Sequence, residues 1–320
     1  MSVFRCLSAM VCAAIFVATP GRLAFAQNRD ATTESTLKLI QGNAAEAIAG
    51  YTEALKDTGL ANDRRASILN DRAVAYVRAG KPKQAFEDYN RALKAFAEYP
   101  AVYNNRGNLL LSLGQYGEAV KDFDRAILLA PGYAAAYSNR GNARLKLGDM
   151  SAAIQDFTKA IQLMPASAAP LSGRGLAYLD LGKPHAAIRD FSRAVNADAR
   201  FASAYRNRAE ARLAVAQNEI AIEDLSRAVA FDTNNPEIYV VRGYAYLTAD
   251  NTASAIKDFA QAIELNPRLV AAYQGRGLAN GAAEAYDEAY ADLNRAIELD
   301  PRSAISFAYR AYIYKLNGQI

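Results

Sequence analysis

Apolar residues return along this chain at two nested intervals. On the short scale, Tyr103, Gly107 and Leu110 fall at i, i+4 and i+7, and Ala119, Val120, Phe123, Ala126 and Ile127 fall at i, i+1, i+4, i+7 and i+8. Each set is one stripe of a 3.6-residue period and predicts an amphipathic helix. Between the two, Leu113-Gly114 supplies a stop, because glycine reaches positive φ without steric cost, and Pro131 ends the second run. The long interval is 34 residues: it returns Tyr137, Asn139, Arg140, Gly141, Leu147, Gly148, Ala153, Asp156, Phe157, Ala160 and Pro165. Arginine recurs on it at Arg72, Arg106, Arg140, Arg174, Arg208, Arg242, Arg276 and Arg310, with no insertion or deletion. A fixed period of this size predicts an all-α solenoid of antiparallel helix pairs, each of which buries its faces only by stacking on neighbours.

These residues resemble the tetratricopeptide repeat. That family places an aromatic, a Leu-Gly, then alanine, phenylalanine, alanine and proline at fixed offsets, matched here by Tyr103, Gly107, Ala119, Phe123, Ala126 and Pro131. The family's leucine before the glycine is arginine in this chain, as in a bacterial subclass with N-R-G units. The resemblance covers roughly residues 28–320. It implies a right-handed superhelical solenoid with a concave side lined by the first helix of each pair. For function it implies a protein or peptide partner and names none, since one scaffold serves many.

Units of 34 residues begin near Ala66, Pro100, Ala134, Ala168, Ala202, Pro236 and Val270, seven repeats over 66–303. Residues 27–65 form a degenerate first repeat with its connector. Ala47, Ile48, Tyr51, Ala54 and Leu55 echo a second helix, but Glu34 stands at the arginine position. Residues 304–320 form a closing helix without a partner. The turn glycine is replaced by Ala216, Asp250 and Glu284 in the last three repeats. Alanine and glutamate enter the left-handed region only at a cost, so the Ala216 and Glu284 turns are expected to differ from the others. The closing proline is lost at Ala199 and Thr233, where less sharply punctuated junctions are expected.

The first 26 residues break the pattern. Arg5, the apolar run Cys6 to Ala18, and Ala24-Phe25-Ala26 before Gln27 form a secretory signal peptide, too short to span a bilayer. It predicts a periplasmic or secreted protein with no membrane insertion after cleavage. Both cysteines lie in that segment, so the mature chain offers neither disulfides nor thiol chemistry. Loss of Arg5 and Arg22 takes 37 basic residues to 35 against 33 acidic, and the net charge from +4 to +2. That is no footprint for nucleic acid or anionic lipid.

Candidate chemistry is sparse. His185, the only histidine, sits in a turn with no second ligand for a metal. No phosphate loop or nucleophile elbow is present, and the serines and carboxylates follow the period, so neither catalysis nor a cofactor is expected. Asp88, Asp122, Asp156, Asp190, Asp224, Asp258 and Asp292 follow the arginines at 16 residues, and a repeated internal ion pair is expected. A same-helix competitor, Arg125, Arg193, Arg227 or Arg295, lies three residues after the aspartate.

Binding is expected where the repeats vary on the concave face. The candidate residues are Asn104, Asn108, Ser138, Asn142, Arg206, Tyr244 and Leu247, with side-chain amides suited to the main chain of an extended peptide. Ala169 and Gly173 stand where a clamp for a terminal carboxylate would need cations. The last helix is apolar on more than one side. Phe307, Ala311 and Tyr314 are expected to pack on repeat eight, leaving Tyr309, Tyr312 and Ile313 as an interface for a possible homodimer. The sequence therefore supports a non-catalytic exported scaffold binding a peptide or protein segment. The alternative is a self-associating assembly protein of the cell envelope.

Overall fold

The computed structural model of the chain describes residues 31–319. The expected signal peptide, Met1 to Ala26, lies outside the described residues. Helices alternate in pairs: α1 Ala31–Ile40, α2 Ala44–Ala54, α3 Asn62–Arg78, α4 Pro82–Ala95, α5 Pro100–Ser112 and α6 Tyr116–Leu129. There follow α7 Ala134–Lys146, α8 Met150–Leu163, α9 Ala168–Asp180, α10 Pro184–Ala197, α11 Ala202–Leu213 and α12 Asn218–Phe231. The series ends with α13 Pro236–Thr248, α14 Thr252–Leu265, α15 Val270–Ala282, α16 Tyr286–Leu299 and α17 Ala304–Leu316. The described chain is all-helical, a solenoid of antiparallel pairs. It forms two compact units, one running to Leu109 and the other from Leu110.

Small residues on the second helices explain the close stacking. Ala85, Ala119, Ala153, Ala187, Ala221, Ala255 and Ala289 are fully buried, and the alanine seven residues on is buried in each case. Between those two alanines a large side chain fills the space, and its size is matched by its neighbours. In the second unit Phe157 is wedged against Gly141 and Gly173: a Cβ on either would stand 2.8 and 2.5 Å from the ring. Phe259 is held in the same way by Gly243 and Gly275. Where the ring becomes Leu225, Ala209 and Val241 pack in the same cluster, and where it becomes Leu293, Gly277 and Tyr309 do so. A smaller side chain at this place goes with larger residues facing it, as close packing requires.

The turns correct one expectation. Ala216, Asp250 and Glu284 take φ of 58, 54 and 60°, in the same region as Gly148 at 79°. The bonds match too: Asp149 N–H donates to Arg144 C=O at 2.9 Å and Gln217 N–H to Arg212 C=O at 2.9 Å. The two helices on either side fix the turn through their packing. They hold a non-glycine residue in a conformation costing about 1–2 kcal/mol. Loss of the proline likewise leaves the junctions sharp. α10 ends at Ala197, and Asp198 adopts φ −138°, close to the −139° of Ala130 before Pro131. The Asp198 carboxylate accepts from Arg200 N–H at 3.0 Å, the same turn contact that Asp300 makes with Arg302 N–H beside Pro301.

In the first unit the degenerate repeat is a genuine helix pair. Ala47 and Tyr51 are fully buried, and the Thr36 hydroxyl meets the Tyr51 hydroxyl at 2.8 Å. Glu34 stands at the arginine position, and Arg72 of the next repeat donates back to Thr52 Oγ1 at 3.0 Å.

Candidate functional site

The arginine ladder comes first, because its geometry decides which face is left for a partner. Arg208 donates Nε to Asp224 Oδ2 at 2.8 Å and Nη2 to Oδ1 at 2.6 Å, a bidentate fork between antiparallel helices. The same fork joins Arg72 to Asp88, Arg140 to Asp156, Arg174 to Asp190, Arg242 to Asp258 and Arg276 to Asp292. The remaining Nη1 reaches the second helix of the preceding repeat, at Thr158 from Arg174, Ser192 from Arg208 and Ser226 from Arg242. Arg140, Arg208, Arg242 and Arg276 also lie on the tyrosine three residues before them, 5.4 Å from Tyr205 in the case of Arg208, while Arg72 and Arg174 lie on Tyr76 and Tyr178 four residues after. Thus one residue ties three helices together, and the pair is nearly closed to solvent, with 10% and 3% of the two side chains exposed. Arg276 lacks the third tie because Ala260 stands at that place, and its side chain is 28% exposed. The same-helix competitors are peripheral: Arg193 is 3.9 Å from Asp190 and half exposed, and Arg295 turns to Glu298. The ladder holds repeats together, and the Nε and Nη2 donors of its forks are spent on the aspartates.

The variable positions divide into two rows. In the second unit the row of Ser138, Ser172, Arg206, Val240 and Gln274 lies in the seam between first helices of successive repeats, and Asn104 holds the same register position in the first. In the second unit Gln274 Nε2 donates to Ser306 Oγ at 2.8 Å, and Arg206 Nη1 donates to Glu237 Oε2 at 3.0 Å. In the first unit Asn105 Nδ2 donates to Asn70 Oδ1 at 3.0 Å, and Asn104 is only 5% exposed. Asn104 is therefore a seam residue and is not on the open face. Ser138 is half-buried.

The open row lies one turn further. Asn142 is exposed, while Leu176, Glu210, Tyr244 and Leu278 are half-buried along the second unit; Asn108, half-buried, belongs to the first. Beside this row runs a line of half-buried leucines, Leu145, Leu179, Leu213 and Leu247. Tyr244 is held edge-on against Phe259 at 5.0 Å, and its hydroxyl donates to Ala271 C=O at 3.4 Å. The expected residues thus separate by unit: Asn104 and Asn108 in one; Ser138, Asn142, Arg206, Tyr244 and Leu247 in the other.

The sequence singled out Arg206 in the middle of the second unit but not the charge pairing around it. Arg206 lies 3.7 Å from Glu210 and 3.0 Å from Glu237. Burial pushes the Glu210 carboxyl up from its ordinary value, Arg206 opposes this and Glu237 adds to it. Sequence reading passed over Asp71 in the first unit, whose carboxyl burial raises to about 6 beside the Asn70 amide. Its field reaches the hydroxyls of Tyr51 and Tyr89, which stand where most of the other repeats carry phenylalanine. The signal in both cases was a charge at a position that is uncharged in most repeats.

The interface expected on α17 is half correct in its placement. Tyr312 is 52% exposed and Tyr309 half-buried, but Ile313 is fully buried. It fills the niche left by Gly281, where a Cβ would come within 2.2 Å of its Cδ1, so it cannot offer a surface. Phe307 and Ala311, expected in the packing, are exposed instead. Phe307 only supports the Arg310 guanidinium at 5.5 Å, and Tyr314 alone of the three packs, stacked on Tyr290 at 4.6 Å. Among the described residues no cluster of three metal-ligating side chains occurs, and no helix is long and apolar enough to cross a membrane.

The profile of the tetratricopeptide repeat matches residues 33–100, 104–168 and 173–236, and a second profile of the same repeat matches 236–269 and 270–303. No curated protein matches this sequence significantly. Among solved structures, a tetratricopeptide repeat protein from Parabacteroides merdae is similar at 21% identity and TM-score 0.61, over 78% of this chain and 97% of that one. The Cut9-Hcn1 hetero-tetramer of the APC/C contains a chain similar at 14% identity and TM-score 0.67, over 88% of this chain and 56% of its own. At these identities the likeness is one of fold. The repeat geometry, the arginine forks within it and the profile matches together place this chain in the tetratricopeptide repeat family.

Proposed function

We propose that this protein is an exported, non-catalytic scaffold that binds a peptide or protein segment along the first helices of its second unit. The observation that carries the reading is the contrast between the two sides of each repeat. The arginine forks are satisfied internally and recur unchanged, whereas the row of Asn142, Leu176, Glu210, Tyr244 and Leu278 varies at every step and stays accessible. Repeat stacking fixes the first, while the second varies from repeat to repeat, so that row is where a partner can be specified. Proteins of this family generally act as protein-binding scaffolds.

A photocrosslinker placed at Asn142 or Tyr244, and at Lys159 on α8 as control, tests the face. Adducts from the first two positions and none from the third are expected; the reverse moves the site to the second helices. Export is tested separately, by N-terminal sequencing of the mature protein, which is expected to start at Gln27.

A second reading has its own observation. α17 exposes Ile305 at 55%, Phe307 at 43%, Tyr312 at 52% and Leu316 at 44%, a concentration of apolar surface that favours self-association through this helix with Tyr309 at its edge. Light scattering at tens of micromolar decides: a dimer dispersed by Tyr312→Glu with Phe307→Lys supports it, and a monomer removes it.

A further inference from the structure

From the charges on this face we infer that its occupant is an extended segment carrying one lysine or arginine between aliphatic residues, with the cation seated at Glu210 and Glu237. The inference rests on the binding face proposed above and narrows it to one chemistry.

Three observations point to a cation. First, Arg206, Glu210 and Glu237 sum to −1, and the nearby Arg212 is turned away, donating to Asp224 on α12 and to Ile220 C=O. Second, the carboxylates have room. The Glu210 and Glu237 side chains are 39% and 65% exposed, and no hydrogen bond fixes Glu210 among the described residues, its contact with Arg206 being 3.7 Å. Third, Arg206 is already committed. Its Nη1 donates to Glu237, its Nη2 to Asn207 Oδ1 at 3.4 Å, and its buried Nε faces Glu210 at 3.7 Å. An acidic ligand would therefore have to displace Glu237 and then lie against two carboxylates. A cation relieves the burial of Glu210 and leaves Arg206 in place.

The surroundings select the rest of the segment. Leu176 and Tyr244 occupy the same place as Glu210 on the helices to either side, and Leu179 and Leu213 lie one turn on, all half-buried. Aliphatic side chains flanking the cation would cover these leucines, and the Tyr244 ring offers a π face to the cation's methylenes and charge. Alternation of aliphatic and basic positions is what an extended chain presents to a surface with an apolar line and a single acidic point.

The test is a random-peptide phage selection on the full chain. The best binder is then synthesised with its central basic residue kept or changed to glutamine or glutamate. Sequences with lysine or arginine between leucine, isoleucine or valine are expected. Loss of the peptide charge, or Glu210→Gln with Glu237→Gln in the protein, should each weaken binding roughly fivefold to tenfold, and the two losses should not add. Binders that are acidic or indifferent to charge, yet weakened by Leu176→Gln, would overturn the inference while leaving the binding face intact. Binders unaffected by both Leu176→Gln and Tyr244→Ala, or none at all, would remove the face and the inference together. Melting curves of each variant check that the fold persists.

Discussion

The repeats at residues 134–167 and 202–235 share a backbone and differ in the residues that fill the core, make the turn and end the second helix. The first has Phe157 wedged between two glycines, a turn at Gly148 and a closing Pro165; the second has Leu225 against Ala209 and Val241, a turn at Ala216 and Thr233 in place of proline. Their helices are nevertheless almost the same length, 13 and 14 residues against 12 and 14. They have in common the bidentate fork, Arg140 to Asp156 and Arg208 to Asp224, and the pair of buried alanines on each second helix. The comparison teaches that the repeat is specified by a conserved polar tie and by complementary sizes at the facing positions. The particular ring, turn residue and terminator are interchangeable ways of meeting those two demands.

Removing what the two repeats share has the largest expected effect. Arg208→Ala leaves Asp224 buried and short of its main partner and should cost about 3–5 kcal/mol, measured by urea denaturation. Arg276→Ala should cost less, because that arginine has no third tie and a more exposed side chain.

Interchanging the volumes comes next. Phe157→Leu should destabilise by about 1–3 kcal/mol by opening space between Gly141 and Gly173. Adding Gly141→Ala and Gly173→Val should recover part of that loss, although each alone in the parent clashes with the ring. If the triple variant is no better than Phe157→Leu, volume compensation is the wrong lesson.

Exchanging the turns is smaller. Gly148→Ala should cost about 1–2 kcal/mol and Ala216→Gly should gain up to about 1 kcal/mol, with opposite shifts in melting temperature.

The smallest effect concerns the open row, where the second repeat has Glu210 and the first has Asn142. Burial raises the folded pKa of Glu210 above its unfolded value, so the folded state holds its proton to higher pH. Its contribution therefore becomes more favourable as pH falls from 7 through the folded pKa, and is constant again below the unfolded pKa. Glu210→Gln should remove that slope and raise stability at pH 7 by under about 1 kcal/mol, given solvent screening at a side chain this exposed. Urea midpoints between pH 4 and pH 7 check the sign.

The sequence alone determined the helix pairs, their 34-residue register, the buried alanines and the Arg–Asp pairing, because each follows from spacing along one or two adjacent helices. Only the tertiary structure decided matters that depend on a third helix. It carried the arginines back to Thr158, Ser192 and Ser226, and it imposed a left-handed turn on Ala216 and Glu284. It sank Asn104 into the seam and Ile313 into the niche of Gly281, and it brought Glu237 across to Arg206 from 31 residues away. Periodicity gives the angle at which a side chain leaves its own helix. What stands opposite it is set by the stacking of the next repeat, and there exposure, charge pairing and the open face are decided.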